Sequence, residues 1–396
     1  MALKYPSANG NWSTAANWNG GTLPVPGDDV RANGFTVTID VDIDVLQIAT
    51  VALAPAVAGG TFTVSTNRNI TANINAGSSS CLTSGSGVIV NIIGNINGGV
   101  SNGANGINFT NVGSILNVTG NVTAGSTTNG VQYGINSSGT VNFIGNATGS
   151  AVGFGSAAIN INTGGMLNIT GIVTGGSAGN TSYGVQNAGN GTYNGTITGG
   201  SAGSSTGVRL ASGIHTINSN VTGGTSNGSH GLILVNATAT INGNCTGGGV
   251  AGSHAVNIAT STATFNGSVT GSSTSSGSLA INVTDSVSNV VVSQITFGSL
   301  GTVPVSGFVK FKNIGPTITV LKANSTTQQL VDPATTDIPA EGDVRNGIVY
   351  ASGSLTGTLA VPTFSAVSVG VPTDNGVGTA VITITDMGTL LASFQV

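Results

Sequence analysis

The sequence predicts an all-β protein: a parallel β-helix, or β-solenoid, of about ten right-handed rungs of roughly 24–26 residues each, followed by a C-terminal antiparallel β domain. Three observations lead there. A glycine recurs at a nearly fixed period, apolar columns flank it, and a long interior has neither acid nor proline.

The repeat comes first, because it decides how every other residue is read. A glycine that follows a short apolar run recurs at Gly94, Gly120, Gly145, Gly171, Gly195, Gly243 and Gly267, with Ser219 in the same role between Gly195 and Gly243. Two residues before it every row is apolar, from Ile92, Val118 and Phe143 to Phe265. Two residues after it the column runs from Ile96 and Val122 to Cys245 and Val269. Alternation on either side of a glycine kink marks two short strands, and a third apolar segment follows later in each unit, as in Gly207-Val208 and Gly231-Leu232. A unit this short cannot bury its own apolar face, so the units must stack.

Stacking accounts for the composition. Of 396 residues, 64 are glycine, 8 are Lys or Arg and 12 are Asp or Glu. Residues 45–284 contain no acid, and their only bases are Arg68 and Arg209. No proline lies between Pro55 and Pro304. Identical residues on adjacent rungs sit about 4.8 Å apart, a spacing that Asn and Thr tolerate and like charges do not. Proline would remove a ladder donor.

Both ends of such a rod need covering. Residues 1–80 are expected to form an N-terminal cap and the first irregular rungs, 81–289 the regular β-helix, and 290–396 a C-terminal β domain for oligomerisation or attachment. Within the cap, Phe35–Asp44 alternates as one strand with Asp40, Asp42 and Asp44 on one side. Strands expected in the C-terminal region include Phe308–Lys312, Thr317–Leu321 and Ala380–Ile384.

The chemistry is sparse. Glycoside hydrolysis usually needs two carboxylates at a set separation, and the rungs carry none, so no rung-borne enzyme is expected. Asp28, Asp29 and Glu341 are the acids left for a terminal or inter-subunit site. The three histidines are His215, His230 and His254. The last two stand one repeat apart and are expected to stack on neighbouring rungs, too few ligands for a metal. Cys81 and Cys245 fall many rungs apart and are expected as free thiols. Asp40, Asp42 and Asp44 lack the glycine and closing glutamate of a calcium loop. No metal or cofactor is expected. Trp12 and Trp18 are read as plugging the first rung, with an aromatic platform for a sugar or a partner as the alternative. Trp12, Trp18, Arg209, His230 and His254 are the candidate contacts for a partner or glycan.

Net charge is −4, which gives nucleic acid no electrostatic footprint. No run of about 18 apolar residues suggests a membrane span. The start, Met1 to Gly10, lacks the apolar region of a secretory signal, so crossing a membrane by that route is not expected.

The opening, from Trp12 through Pro24-Val-Pro-Gly-Asp-Asp29 to Phe35-Thr-Val-Thr-Ile39, resembles the start of β-helices in phage structural proteins and in bacterial autotransporter passengers. Near the end, Pro339-Ala-Glu-Gly-Asp-Val-Arg345, Gly347-Ile-Val-Tyr350, Leu355-Thr-Gly-Thr-Leu-Ala-Val-Pro362 and Gly370-Val-Pro-Thr-Asp-Asn375 resemble a segment recurrent near the C-termini of tailed-bacteriophage virion proteins. That resemblance is confined to the C-terminal region and carries no catalytic residue. It implies a non-enzymatic virion component assembled in the host cytoplasm: a tail spike, tail fibre or capsid decoration. Its expected partners are its own copies as a homotrimer, other capsid or tail proteins, and a host surface glycan. The rival readings are a polysaccharide-degrading tailspike, a bacterial adhesin passenger, and an ice-binding solenoid suggested by the Thr column after the kink.

Overall fold

The computed structural model is all-β and winds as a parallel β-solenoid of about 11 turns. It describes residues 2–126, 130–151, 155–177, 181–270 and 280–284, and C-terminal to these only the backbone of short strands between 289 and 377.

Two ladders run the length of the solenoid, a 19-stranded long sheet and a 12-stranded second sheet. One regular rung shows the plan. Ile115–Thr119 and Val122–Thr123 lie in the long sheet on either side of Gly120, and Tyr133–Ser137 lies in the second sheet. In three rungs, Met166–Thr174, Asn190–Thr198 and Thr262–Thr270, the strand runs unbroken through the kink. Pairing is parallel and in register at the repeat period, as in Val118↔Phe143 and Val122↔Ala147. Both columns expected to face inward do so: Ile92 to Phe265 and Ile96 to Val269 are all buried.

The kink glycines have a physical reason. Gly94, Gly120, Gly145, Gly171 and Gly195 hold φ between +131° and +153°, where a side chain is strained. A Cβ on Gly171 would also meet the carbonyl oxygen of Gly145, one turn below, nearer than real Cβ atoms come. Ser219 takes the kink position in register, with Thr196↔Asn220 paired, and the strands on either side of it are Ile214–Ile217 and Asn220–Thr222.

Asparagine amides clamp successive turns from outside. Asn91, Asn117, Asn142 and Asn168 form a chain in which each Nδ2 donates to the Oδ1 one turn below, at 2.7–2.8 Å, beginning at Asn69. Asn218, Asn242 and Asn266 repeat the device from Asn194. Beside the kink the same residue type does a second job. The Asn95 and Asn121 side-chain oxygens accept the backbone N–H of Asn121 and Asn146, respectively. Each amide both donates and accepts, which no carboxylate or ammonium can do.

The ladder reaches further toward both ends than the sequence suggests. At the N-terminal end Leu3–Lys4 already pairs in parallel with Asp29–Arg31, and that strand with Ile43–Ala49. Phe35–Asp44 is not one strand. Thr36–Thr38 belongs to the second sheet and Ile43–Ala49 to the long sheet, with a corner between them. At the other end Asn289–Phe297 continues the long sheet in parallel with Thr262–Thr270. Val309–Phe311 then pairs in parallel with Asn289–Phe297, and Ile318–Lys322 with Leu300–Val303, where antiparallel pairing is expected from sequence. In the C-terminal unit, 330–396, the described strands are two antiparallel pairs, Val349–Tyr350 with Leu355–Thr356 and Pro372–Thr373 with Gly376–Val377. The expected strand Ala380–Ile384 lies outside the described residues.

Two substitutions test this construction. Gly171→Ala is expected to cost about 2–4 kcal/mol and visibly lower the thermal midpoint, whereas Gly249→Ala, which meets open space, stays within about 0.5 kcal/mol. Asn117→Asp removes the donor to Asn91 and sets a carboxylate against its Oδ1. The expected loss is about 1–2 kcal/mol at neutral pH, and it narrows as the pH is lowered toward about 4, where protonation restores a donor. Denaturation followed by circular dichroism reads both.

Candidate functional site

The outward face of the second sheet holds most of the rings and cations left outside the core of the regular rungs. In Tyr133–Ser137 and Tyr183–Asn187 the first and fourth residues are partly exposed and the others buried, so two columns of this sheet reach the surface. The first column is Tyr133, Ala157, Tyr183 and Thr206, in register from turn to turn, with the tyrosines partly exposed and Ala157 and Thr206 buried. His230 and His254 continue it, since their carbonyls accept the N–H of Gly207 and Gly231. The next outward column includes Asn160, Gln186, Arg209 and Ile233.

A buried serine sets where the first column emerges. Ser156, Ser182, Ser205, Ser229 and Ser253 immediately precede it and are fully buried. The Ser253 hydroxyl lies 2.5 Å from the Gly224 carbonyl and 2.8 Å from that of Ser229, and Ser182 donates to the Ser150 carbonyl at 3.2 Å. The Ser229 hydroxyl donates to the Ala202 carbonyl. These turns are thus pinned just before their strands begin. A small residue follows the ring position, as at Gly134 and Gly184, where a Cβ would press on Val122 and Val173 beneath.

Tyr133 and Tyr183 are half-buried, with Ala157 fully buried on the turn between them. Burial raises the pKa of both phenols, and the neighbouring Tyr183 raises that of Tyr133 further. The Arg209 guanidinium carbon lies 6.0 Å from the Tyr183 ring centroid, a cation–π contact. His230 and His254 stack nearly parallel, with centroids 5.2 Å apart and 7° between planes. The His254 N–H reaches His230 Nδ1 at 3.3 Å. Burial pushes both imidazoles down to about 4, so both are neutral at pH 7, and His254 lowers His230 further.

Of the sequence candidates, Arg209, His230 and His254 share this face. Trp12 and Trp18 do not. Both are buried, 3% and 2% exposed, with ring centroids 4.9 Å apart in an edge-to-face contact. Trp18 Nε1 donates to the Trp12 carbonyl at 2.8 Å, and Trp12 leans on Phe62. These rings close the core near the first turns and leave no platform for a sugar, which corrects their candidacy as contacts. His215 is separate again, buried in the core with Nε2 2.6 Å from the Ser212 carbonyl. Tyr133 and Tyr183 escape the sequence reading. Their signal is a ring immediately before a small residue at the start of the third strand, a position that His230 and His254 share.

The acids of the first turns serve the backbone. Asp29 and Arg31 form a buried pair at 2.6 Å, and Asp28 accepts the N–H groups of Ala2 and Val25. Burial raises the Asp40 pKa, but the Ser13 hydroxyl and N–H outweigh it and the carboxyl titrates below its usual range. Asp42 is held low by the N–H and amide of Asn69. Glu341 lies outside the described residues. Among the described residues no three His, Cys, Asp or Glu side chains gather to hold a metal ion. Cys81 and Cys245 are free and buried, and burial pushes the Cys245 thiol up to about 12. On the long sheet a shallow groove of about 260 Å³, lined by Met166, Asn168, Asn190 and Ile214 among others, contains no ionisable group. No family model, curated protein or solved structure matches the chain.

The histidine pair predicts an acid-sensitive fold. Unfolded, each imidazole binds its proton near 6.5; folded, near 4. Between these values the unfolded chain holds more protons, so stability is full above about 6.5, falls as pH drops, and levels off below about 4. The loss is roughly 2 kcal/mol for the pair, after screening at their exposed edges. Replacing both by Asn is expected to remove most of it, read as the difference in thermal midpoint between pH 7 and pH 4.5.

Proposed function

We propose that the chain is a non-enzymatic virion component of a tailed bacteriophage, a right-handed β-helical spike, fibre or capsid decoration that contacts a host surface glycan. One observation carries the reading. The solenoid presents uncharged amide and hydroxyl ladders on its turns and gathers Tyr133, Tyr183, Arg209, His230 and His254 on one face. Rings with amides and a guanidinium suit a polyhydroxylated ligand, because sugar C–H faces stack on rings and hydroxyls meet polar side chains. A rod clamped by inter-turn bonds suits exposure outside a cell.

Two further features support parts of this reading. The described acids of the first turns are mostly engaged with backbone or with Arg31, which favours binding over hydrolysis. Ile93, Ile144 and Ile214 stand 62%, 59% and 69% exposed on the long sheet, scattered apolar side chains that self-association as a homotrimer would cover. The region 290–396 is assigned to oligomerisation or attachment to other virion proteins.

Antibodies against the chain, gold-labelled on intact particles, are expected to decorate the virion. Labelling of tailless capsids identifies a decoration protein, and labelling confined to tails a spike or fibre. Unlabelled particles, or release of reducing sugar from host glycan by the purified chain, would sink the reading.

A further inference from the structure

We propose that the outward face of the second sheet binds a carboxylated polysaccharide, with a uronic-acid carboxylate on Arg209 and a sugar ring against Tyr183. The proposal rests on the glycan-contact part of the reading above and names the class of glycan.

Arg209 is the argument. It is the only Lys or Arg between Arg68 and Lys310, and it lies inside the acid-free stretch 45–284. A structural arginine ordinarily pairs with a carboxylate or with backbone carbonyls, as Arg31 does with Asp29 and Arg68 with the Ile39 and Asp40 carbonyls. Arg209 does neither. Among the described residues its guanidinium meets the Tyr183 ring and has no hydrogen-bond acceptor. Its planar fork of five donors is therefore available to an anion that accepts two parallel bonds, which a carboxylate does. Within this stretch no carboxylate competes for it.

The surroundings select a saccharide over other anions. Tyr183 lies beside the guanidinium, and Tyr133 stands two turns away in the same column, roughly 9.6 Å along the rod, the scale of two sugar units. Gln186 sits one turn below Arg209 in its own column, an amide in reach of a hydroxyl. His230 and His254 extend the aromatic line and are neutral at pH 7, so the face offers one cation and several rings. One cation can hold a single carboxylate of a saccharide chain, whereas nucleic acid needs several cations to hold its successive phosphates.

The test is a titration of the full chain at low salt, followed by intrinsic tyrosine and tryptophan fluorescence. The probes are polygalacturonate, the same polymer with its carboxyls reduced, and an oligothymidylate. Wild type is expected to bind polygalacturonate at least about tenfold more tightly than the reduced polymer, with the preference fading at high salt. Arg209→Gln is expected to erase the preference, and Tyr183→Ala to weaken binding to both polymers by about fivefold. An unchanged thermal midpoint shows each variant folded. Should Arg209→Gln melt early, Arg209→Lys keeps the charge, loses the fork, and is expected to lose about half of the preference on a logarithmic scale. Equal binding of both polymers, no binding of polygalacturonate, an unaffected Arg209 variant, or tighter binding of the oligonucleotide overturns the proposal. Virion labelling without polyuronate binding defeats this inference alone; polyuronate binding by a chain absent from particles defeats only the virion reading.

Discussion

Parallel strands stacked in register, one turn on the next at about 4.8 Å, impose the constraint on which the rest of this molecule depends. Every residue of a regular rung meets its own counterpart above and below, so a column tolerates only residue types that are compatible with themselves. Inward columns accept Ile, Val and Phe. Outward columns accept Asn, whose amide donates downward and accepts from above, as from Asn69 to Asn168. The kink column accepts glycine, because the carbonyl of the preceding glycine occupies the space of a Cβ. The low charge of the chain and its high glycine content are both consequences of this one geometry.

A surface that must be uncharged to stack gives unusual meaning to the few exceptions. On most proteins an exposed arginine beside a tyrosine would attract no comment. Here Arg209 stands alone in a long acid-free interior, and the rings that accompany it line one sheet face while the other sheet carries amides, hydroxyls and exposed isoleucines. The same stacking makes the histidine pair sensitive to acid. Two imidazoles held face to face, His254 buried and His230 partly so, hold their protons poorly, and one protonated ring disfavours the other.

Much of the fold is legible from the sequence, because self-stacking writes the three-dimensional neighbour relation as a nearly fixed step along the chain. The inward columns from Ile92 to Phe265 and from Ile96 to Val269, the kink glycines, the stacked His230 and His254 and the unpaired thiols all follow from the repeat period. The irregular ends are less legible, since no period disciplines them. Phe35–Asp44 alternates as one strand would, yet a corner divides it between two sheets. Val309–Phe311 and Ile318–Lys322 join parallel neighbours although the charges and prolines around them suggest a change of architecture.

By itself the sequence determined the period, the inward columns and the exclusion of charge from the turns, since these are properties of residues compared with their own repeats. Which side chains share a face was decided only in three dimensions. That depends on how many residues each corner consumes, and in a strand a slip of one residue exchanges inside for outside. The corners before the second sheet vary in length, so their count does not fix which of Tyr183, Arg209 and His230 face outward together. The buried serines that pin these turns do fix it. Likewise Trp12 and Trp18 read equally well as platform or plug until the first turns close around them. Then Trp18 Nε1 finds the Trp12 carbonyl inside the core, and the rings are lost to any ligand.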